Sequence, residues 1–325
     1  SYSTVSRALN DSPLVKNETK RRIQELAQQL GYHVDFSAKS LATGMRMIVG
    51  LIYPFHSLRP YESVYTSQAI GRMRHALAQH GLDALVAGYG SSDRAEDDVT
   101  RLIRQKKVDG LIIFGYEVSE AQIESLRALG SPFLLINPSP TTAGELCHQI
   151  RIDHELGGYL AGERLIRAGR RKLLSVTEVG QQFQVRAQGF RRAITETENA
   201  GTGPIQRETL TLQNGLFATA YDAIAQNLKW VSGFDGIFVQ SDISSIGVLN
   251  CLLDHGISVP QDISVIGYDD IEWAQYTRPA LTTIHQPVQE VAQLATEGIV
   301  SMITGDQSEL FVKQLQPILI DRESC

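Results

Sequence analysis

The sequence predicts an α/β protein with two doubly wound parallel-sheet lobes that follow a short all-α head. From Met47 onward, short continuous apolar segments alternate with helical patterns, which is typical of buried parallel strands joined by helices. The alternation starts again after a loop rich in Pro, Thr and Gly at 138–144, so a second lobe of the same plan is expected. Residues 1–36 show helical periodicity alone.

Length and composition agree with this plan. At 325 residues the chain is too long for one compact core, so two or three domains are expected. The longest apolar runs, at 111–114 and 133–136, are far too short to span a bilayer. Three widely spaced cysteines without a Cys-x-x-Cys pair predict idle thiols in a reducing cytoplasm.

Charge is unevenly distributed along the chain. The total is −6, yet residues 1–46 hold seven cationic and four anionic side chains, a net +3 that leaves −9 on the remainder. A basic head on an acidic body suits a protein that touches nucleic acid with one end only.

The head begins with a short amphipathic helix. At helical spacing Val5, Ala8 and Leu9 share one side. The other side carries hydroxyls, an aromatic ring and a guanidinium, at Tyr2, Ser3, Ser6 and Arg7. Such groups contact base edges and phosphates, although any small packed helix can show this pattern. A second helix is expected from about Val15 to Leu30, ended by Gly31.

Elements of the first lobe follow in order from Met47. The predicted strands are the apolar runs at 48–53, 85–88, 109–114 and 133–137. One predicted helix ends near Gly81, and two others cover about 95–107 and 119–129.

The second lobe repeats the pattern. Its predicted helices cover 155–168, 184–197, 217–230 and 243–255, and its strands 172–177, 208–212, 236–240 and 264–267. Two lobes in tandem imply a cleft that faces the carboxyl ends of both sets of strands.

The order Tyr-Ser-Thr-Val-Ser-Arg-Ala-Leu-Asn over 2–10 resembles the recognition helix of the lactose-repressor (LacI/GalR) family of bacterial transcription regulators. Further blocks that resemble the family lie at 157–162, 186–190, 260–270, 279–284 and 321–324. The resemblance therefore covers essentially the whole chain. Because a helix-turn-helix needs a bracing first helix, about 10–15 further residues are expected before Ser1.

The resemblance implies a domain plan. Residues 1–36 would be a partial helix-turn-helix head, 37–46 a hinge helix, and 47–325 a periplasmic-binding-protein-like core for effector binding and dimerisation. The expected N-lobe covers about 47–147 plus 286–306, and the expected C-lobe about 148–285 plus 307–325. A final helix at 287–303 and a final strand at 312–320 would cross back between the lobes.

The resemblance also implies the DNA contacts. Tyr2, Ser3 and Arg7 would contact bases, with Arg7 preferring guanine. Phosphates would be held by Thr4, Ser6, Asn10 and Thr19. In the hinge, Ala38 and Leu41 would contact the minor groove, where Leu41 wedges base steps apart. On the residues alone, a simple linker at 37–46 and a solvated basic face at Thr19 remain alternatives.

Catalytic motifs are absent from the sequence. It holds no Gly-x-Ser-x-Gly elbow, P-loop, Gly-x-Gly-x-x-Gly turn or His-x-x-x-His pair. The carboxylate runs at 96–98 and 269–270 could hold Mg²⁺, but a loop or a helix start is the commoner explanation. We therefore expect no enzyme, no cofactor and no metal.

A binding cleft is the stronger hypothesis. Arg186 lies just inside the helix after one predicted strand, and Asp269 just past the end of another, where open α/β sheets bind ligands. A guanidinium that donates and a carboxylate that accepts can together fix the hydroxyls of a polyol or the edge of a heterocycle. In the resembled family these two positions bind the small-molecule effector, and the family suggests a sugar or a derivative. A surface ion pair is the alternative for either residue alone.

Weaker candidates surround this pair. Tyr53, Phe55 and Phe183 could form an apolar wall under a sugar ring, and Phe217 or its neighbour Leu216 could serve the second lobe. Ser241 matches a position where the family often places a polar contact, whereas Asp242 beside it could equally cap the next helix.

These expectations combine into one functional prediction. The chain is expected to be a cytoplasmic repressor that binds pseudo-palindromic operator DNA as a homodimer. A carbohydrate effector is expected to control whether the DNA is bound or released. No membrane partner is expected. A periplasmic-type sugar-binding protein is the first alternative, and a cleft enzyme such as a hydrolase is the second.

Overall fold

A computed structural model of the protein describes residues 1–9, 12–32, 44–54, 64–89, 98–114, 118–138, 147–306 and 309–325. The chain divides into two compact units, Ser1–Met47 and Ile48–Cys325. The predicted start of the core at Met47 falls at this division. No helix among the described residues is long and apolar enough to cross a membrane.

The first unit contains the two helices predicted for the head, α1 (Tyr2–Leu9) and α2 (Asn17–Gln29), while residues 37–43 of the predicted hinge helix lie outside the described residues. The two helices pack together at Ala8 of α1, which is fully buried. The Ala8 carbonyl accepts a hydrogen bond of 3.3 Å from the Gln24 side chain of α2. Gly31 follows α2 with a φ of +61°, so it ends the helix as the sequence predicts.

The apolar stripe of α2 is less covered than its spacing suggests. Leu26 is 54% exposed and Leu30 is 73% exposed, and no residue of α2 is buried. Among the described residues of this unit, Ala8 and Val15 are the buried apolar side chains.

In the part of the second unit that the structure describes, the first elements are strands separated by helices up to β4. These are β1 (Ile48–Pro54), α3 (Val64–Gln79), β2 (Asp83–Tyr89), α4 (Asp98–Arg104), β3 (Gly110–Phe114), α5 (Glu120–Ala128), β4 (Phe133–Ile136) and β5 (Gln149–Ile152). It continues with α6 (His154–Arg167), β6 (Lys172–Glu178), α7 (Gln181–Asn199), β7 (Gln206–Leu212), α8 (Phe217–Gln226), α9 (Leu228–Val231), β8 (Gly236–Val239), α10 (Asp242–Asp254) and β9 (Ser264–Asp269). It closes with a 3₁₀ turn (Glu272–Tyr276), β10 (Thr282–His285), α11 (Val288–Thr304), β11 (Val312–Leu315) and β12 (Ile318–Ile320).

The strands form two six-stranded sheets of matching design. The first has the order β11-β5-β4-β3-β1-β2 and is parallel throughout. The second has the order β12-β10-β9-β8-β6-β7 and is parallel except for β12. In both sheets the order reverses beside the first strand of the lobe, and open α/β sheets bind ligands at such points. The prediction of two doubly wound lobes is confirmed.

The predicted boundaries between the lobes need a correction. Both β5 (149–152) and β11 (312–315) belong to the first sheet, so the chain changes lobes after Ile152 and after Leu315 rather than at 147 and 306. The single strand expected over 312–320 is two strands in different sheets. Pro317 separates them, because it has no N–H to donate to a ladder.

Two glycines set the spacing of the helices that cover the second sheet. A Cβ at Gly158 of α6 would collide with the backbone carbonyl of Arg186 in α7, and a Cβ at Gly189 of α7 would collide with that of Glu155 in α6. The two backbones can therefore approach closely only with glycine at these points. This close packing holds the first turns of α7 against the sheet, next to the carboxyl end of β6.

Candidate functional site

Arg186 lies in α7, the helix that follows β6, as the sequence predicts. Its side chain is only 5% exposed. The guanidinium donates through Nη1 to the carbonyl of Gln240 at 2.6 Å and through Nε to Nδ1 of His154 at 3.4 Å. These bonds fix a cation beside the ends of β6 and β8.

Aromatic side chains complete the surroundings of Arg186. Its Cζ lies 3.7 Å from the ring centroid of Tyr268 and 5.2 Å from that of Phe183. The Tyr268 hydroxyl hydrogen-bonds Nδ1 of His154 at 2.8 Å. Burial, followed by the charge of Arg186, holds the pKa of His154 well below its usual range, so this imidazole is neutral.

Asp269 is the last residue of β9 rather than the residue after it. Its carboxylate accepts a hydrogen bond of 2.6 Å from the Gln286 side chain. A φ of +125° places it where non-glycine residues seldom lie, which is a form of backbone strain often found at binding sites. Burial raises the pKa of Asp269, while the guanidinium of Arg186 opposes that rise. The predicted donor and acceptor therefore face the same end of the second sheet.

Asp242 also lies at this end of the second sheet, and its side chain does not cap a helix. It is the first residue of α10, and Ser241 occupies the cap position without a side-chain capping bond. The Asp242 carboxylate accepts from the Thr283 hydroxyl at 2.6 Å and from the Ile271 N–H at 2.9 Å. Burial and the nearby charge of Asp269 raise the pKa of Asp242. Its role is to tie α10 to the ends of β9 and β10.

Asp270 behaves in the opposite way to its neighbour. It accepts hydrogen bonds from Arg322 at 2.6 Å and from Nδ1 of His285 at 2.9 Å. These donors lower the pKa of Asp270 despite its burial. The carboxylate run at 269–270 is thus divided between an ion pair and the site, and the described residues hold no group of three metal-ligating side chains.

Glu178 is a further carboxylate that the sequence analysis did not single out. It ends β6, and burial raises its pKa to about 7, which the charge of Arg186 partly offsets. Its charge in turn acts on Asp269. The site therefore combines one guanidinium with carboxylates of unusually high proton affinity.

The other residues predicted to bind the effector lie in different surroundings. Phe183 stacks near Arg186, and half-buried Tyr53 lies at the end of β1. Phe217 starts α8, is 39% exposed and stacks on Tyr221. Ser241 follows β8 at the expected strand end, while Phe55 lies outside the described residues.

Two residues of the first lobe reach the same site. The charges of Asp269 and Arg186 act on the phenol of Tyr65, at the start of α3, and burial raises the pKa of that phenol. Asn137 follows β4, interacts with Tyr65, and accepts a hydrogen bond of 2.7 Å from the Ile152 N–H. Sequence spacing gives no sign of this approach, because it depends on the packing of one lobe against the other.

In the first unit, α1 and α2 display several of the predicted DNA-contacting side chains. Ser3, Arg7 and Thr19 are exposed and Thr4 is half-exposed. Asn10, Ala38 and Leu41 lie outside the described residues, as do the side chains of Tyr2 and Ser6. An exposed guanidinium and hydroxyls on a short basic helix are chemically able to contact DNA.

Comparison with known protein families identifies both parts of the chain. Residues 163–325 match a periplasmic binding protein-like domain, and residues 1–35 match the bacterial regulatory proteins of the lacI family. The chain belongs to the LacI family. This family consists of transcriptional regulators rather than enzymes.

Similar proteins span nearly the full chain. The HTH-type transcriptional repressor PurR of Edwardsiella ictaluri (strain 93-146) is 29% identical over 100% of this chain and 93% of its own length. The HTH-type transcriptional regulator GntR of Pseudomonas aeruginosa is 28% identical over 94% of this chain and 86% of its own length.

Solved LacI-family structures share the fold. A lac repressor dimer bound to operator and the anti-inducer ONPF has a TM-score of 0.82 at 22% identity, covering 100% of this chain and 95% of its own. A LacI family regulator from Enterococcus faecium with bound ribose has a TM-score of 0.73 at 26% identity, covering 85% of this chain and 98% of its own.

Proposed function

We propose that this protein is a transcriptional repressor whose affinity for operator DNA is controlled by a small molecule bound between its two lobes. One observation carries the proposal: a lacI-type DNA-binding head at 1–35 and a periplasmic binding protein-like domain at 163–325 occur in one chain. A periplasmic-type sugar-binding protein would have no use for the head.

The DNA contacts follow from the exposed faces of α1 and α2 and from the family motif. Tyr2, Ser3 and Arg7 contact bases, and Arg7 pairs with guanine. Phosphates are held by Thr4, Ser6, Asn10 and Thr19, while Ala38 and Leu41 contact the minor groove. The net +3 of residues 1–46 supports this assignment, because phosphate neutralisation dominates the affinity for DNA.

The protein acts as a homodimer in the bacterial cytoplasm. Two recognition helices related by two-fold symmetry match the two halves of a pseudo-palindromic operator. The operator-bound lac repressor of similar fold is itself a dimer. Access to chromosomal DNA requires the cytoplasmic location.

The effector is a sugar or a derivative that occupies the ends of β6, β8 and β9. Arg186 donates to it and Asp269 accepts from it, while Phe183 and Tyr53 line the apolar side and Ser241, Phe55 and Phe217 complete the edges. Support comes from the ribose and cellobiose bound by two regulators of the same fold. Binding to one of two lobe arrangements more tightly than to the other shifts the affinity for DNA.

Retention of duplex DNA tests the DNA-binding half of the proposal. Labelled duplexes selected from a pseudo-palindromic random pool are titrated with the protein, and fluorescence anisotropy gives the Kd. Arg7→Ala should relax specificity at one base position and cost about 1–3 kcal/mol at the preferred base. Arg127→Ala, which removes an exposed cation of α5, is the matched control and should leave the Kd unchanged. Equal base preference in Arg7→Ala and the parent would contradict the assignment.

The hinge contact is tested separately. Leu41→Ala should weaken operator binding, because the wedge that opens the central base step is lost, while effector affinity stays near that of the parent. Equal operator affinity in the two proteins would remove the wedge role.

A further inference from the structure

The carboxylate of Glu178 occupies the point where the strand order of the second sheet reverses. Glu178 ends β6, which lies between β7 and β8 in that sheet. Connections leave toward opposite faces of the sheet at this point and open a crevice above the strand ends. Glu178 therefore stands beside Arg186 and Asp269 in the proposed effector site.

The position of this side chain depends on its neighbour Gly215. A Cβ at Gly215, in the loop after β7, would collide with the Glu178 carboxylate. The loop backbone therefore packs directly against the carboxylate and limits where it can turn.

Among the residues that the structure describes, no hydrogen-bond donor or ion-pair partner contacts the Glu178 carboxylate. Arg186 is the cation whose charge acts on it, but Nη1 and Nε of that guanidinium already donate to Gln240 and His154. A half-buried carboxylate with unfilled acceptor positions loses hydration without compensation. A bound molecule that brings donors would supply that compensation.

A second buried acceptor supports the same conclusion. Gln286 is 1% exposed, and its Nε2 donates to Asp269, whereas its Oε1 has no hydrogen-bond partner among the described residues. Glu178 and Gln286 thus both leave acceptor positions near Asp269 without a donor among the described residues. Hydroxyl groups are donors that can fill such positions, while a phosphate would add acceptors and negative charge to them.

We propose that Glu178 is an effector-binding residue that accepts hydrogen bonds from sugar hydroxyls and selects a sugar without a phosphate or carboxylate group. The inference rests on the proposed function, since it assigns the chemistry of the same cleft. It separates this chain from regulators whose effector is anionic.

The test is isothermal titration calorimetry of the full 325-residue chain. The probes are D-ribose, D-glucose and cellobiose, compared with ribose 5-phosphate and glucose 6-phosphate. At least one neutral sugar should bind more tightly than every phosphosugar. With the titration run at pH 8.5, above the pKa of Glu178, Glu178→Gln should weaken that sugar about tenfold or more, because the sugar then donates to a neutral amide oxygen and not to a carboxylate. The same substitution should reduce the difference in Kd between the neutral sugar and its phosphate.

Two further variants separate recognition from folding. Gly215→Ala should weaken the same sugar by displacing the Glu178 carboxylate while leaving its chemistry intact. Glu208→Gln removes an exposed carboxylate from the neighbouring strand β7 and should bind as the parent does. Thermal unfolding of each variant shows whether the fold is retained.

Several results would overturn the inference. They are tighter binding of a phosphosugar, no binding of any neutral sugar at millimolar concentration, or an unchanged Kd in Glu178→Gln. A preference for glucosamine over glucose would place an ammonium rather than a hydroxyl at Glu178 and would also overturn it. If a phosphosugar alters DNA binding, the proposed function still holds. If the protein binds no DNA at all, the proposed function is wrong, but the inference about Glu178 is not contradicted.

Discussion

The two sheets share one strand order but present different chemistry at their carboxyl ends. In the second sheet these ends carry Glu178 and Asp269, with Arg186 in the following helix and all three within electrostatic reach of one another. In the first sheet the described strand ends carry the uncharged side chains of Tyr53 and Asn137, while the carboxylate of Asp153 after β5 accepts hydrogen bonds from the Leu156 N–H and the Gln314 side chain. Topology therefore determines where a ligand can bind, and the residues at the strand ends determine which lobe recognises it.

This difference divides the work between the lobes. The second lobe concentrates buried charge, which is costly unless it is paired or meets a ligand. The first lobe contributes aromatic and amide groups such as Tyr65 and Asn137, which can close over a bound molecule at little electrostatic cost. Four substitutions test this division, and the first two have a counterpart variant that should have a different effect.

Removal of the buried cation should have the largest effect. Arg186→Ala leaves Glu178 and Asp269 without their compensating charge, so the free energy of unfolding should fall by about 3 kcal/mol and the response to effector should be lost. Urea unfolding followed by circular dichroism measures the change. Arg192→Ala on the same helix removes the ion pairs with Glu155 of α6 and Glu196 of α7 and should cost less than about 1 kcal/mol. Similar costs for the two variants would contradict the special role of the second sheet.

In the first lobe, stability should depend on a hydrogen bond to the backbone and not on a buried charge. Asn137→Ala leaves the Ile152 N–H without its acceptor and places alanine at a φ of +49°, so a loss of about 2 kcal/mol is expected. Asn137→Gly removes only the acceptor and should cost less. The melting temperature of each variant measures the difference, and equal values for both would show that the left-handed backbone carries no strain.

Glu178 should contribute to the pH dependence of stability, together with Asp242 and Asp269, whose pKa values are also raised. The pKa of Glu178 in the folded protein is about 7, above the unfolded value, so the folded state holds the extra proton between those two values. Stability should therefore decline as pH rises through this window, by about 1 kcal/mol for a half-buried group. Glu178→Gln should flatten the melting temperature between pH 5 and 8 relative to the parent. A slope that persists unchanged in the variant would assign the proton elsewhere.

The smallest effect is expected across the cleft. Tyr65→Phe removes a buried hydroxyl near Asp269 but keeps the ring, so stability should change by less than about 1 kcal/mol. Effector affinity measured by calorimetry should fall more clearly than the melting temperature. A large loss of stability without loss of affinity would make Tyr65 a structural contact between the lobes.

The sequence predicts much of this fold because buried parallel strands have a clear pattern. The runs at 110–114 and 236–239 are uninterrupted apolar segments between helices, and both are strands. The strands β5 and β10, which contain polar residues, were not predicted from this pattern. Thr282 and Thr283 in β10 are fully buried, since the first pairs with Ser324 and Arg322 and the second with Asp242.

The site was predictable only in part, for a similar reason. Asp269 ends a strand and Arg186 lies in the helix that follows another strand, and local patterns and the family motif together predict both positions. His154 and Tyr65 contribute through contacts with residues far away in sequence. Glu178 ends an ordinary strand, and only its lack of partners among the described residues distinguishes it.

The central claim is that occupancy of the Arg186–Asp269 site controls the affinity for DNA. The most direct measurement is the Kd for a selected pseudo-palindromic duplex, with and without the neutral sugar that binds most tightly in calorimetry. We predict a change of about tenfold in the parent and in Arg192→Ala, and no change in Arg186→Ala, which should still bind the duplex. A Kd that the sugar leaves unaltered in the parent, or alters equally in Arg186→Ala, would contradict the account.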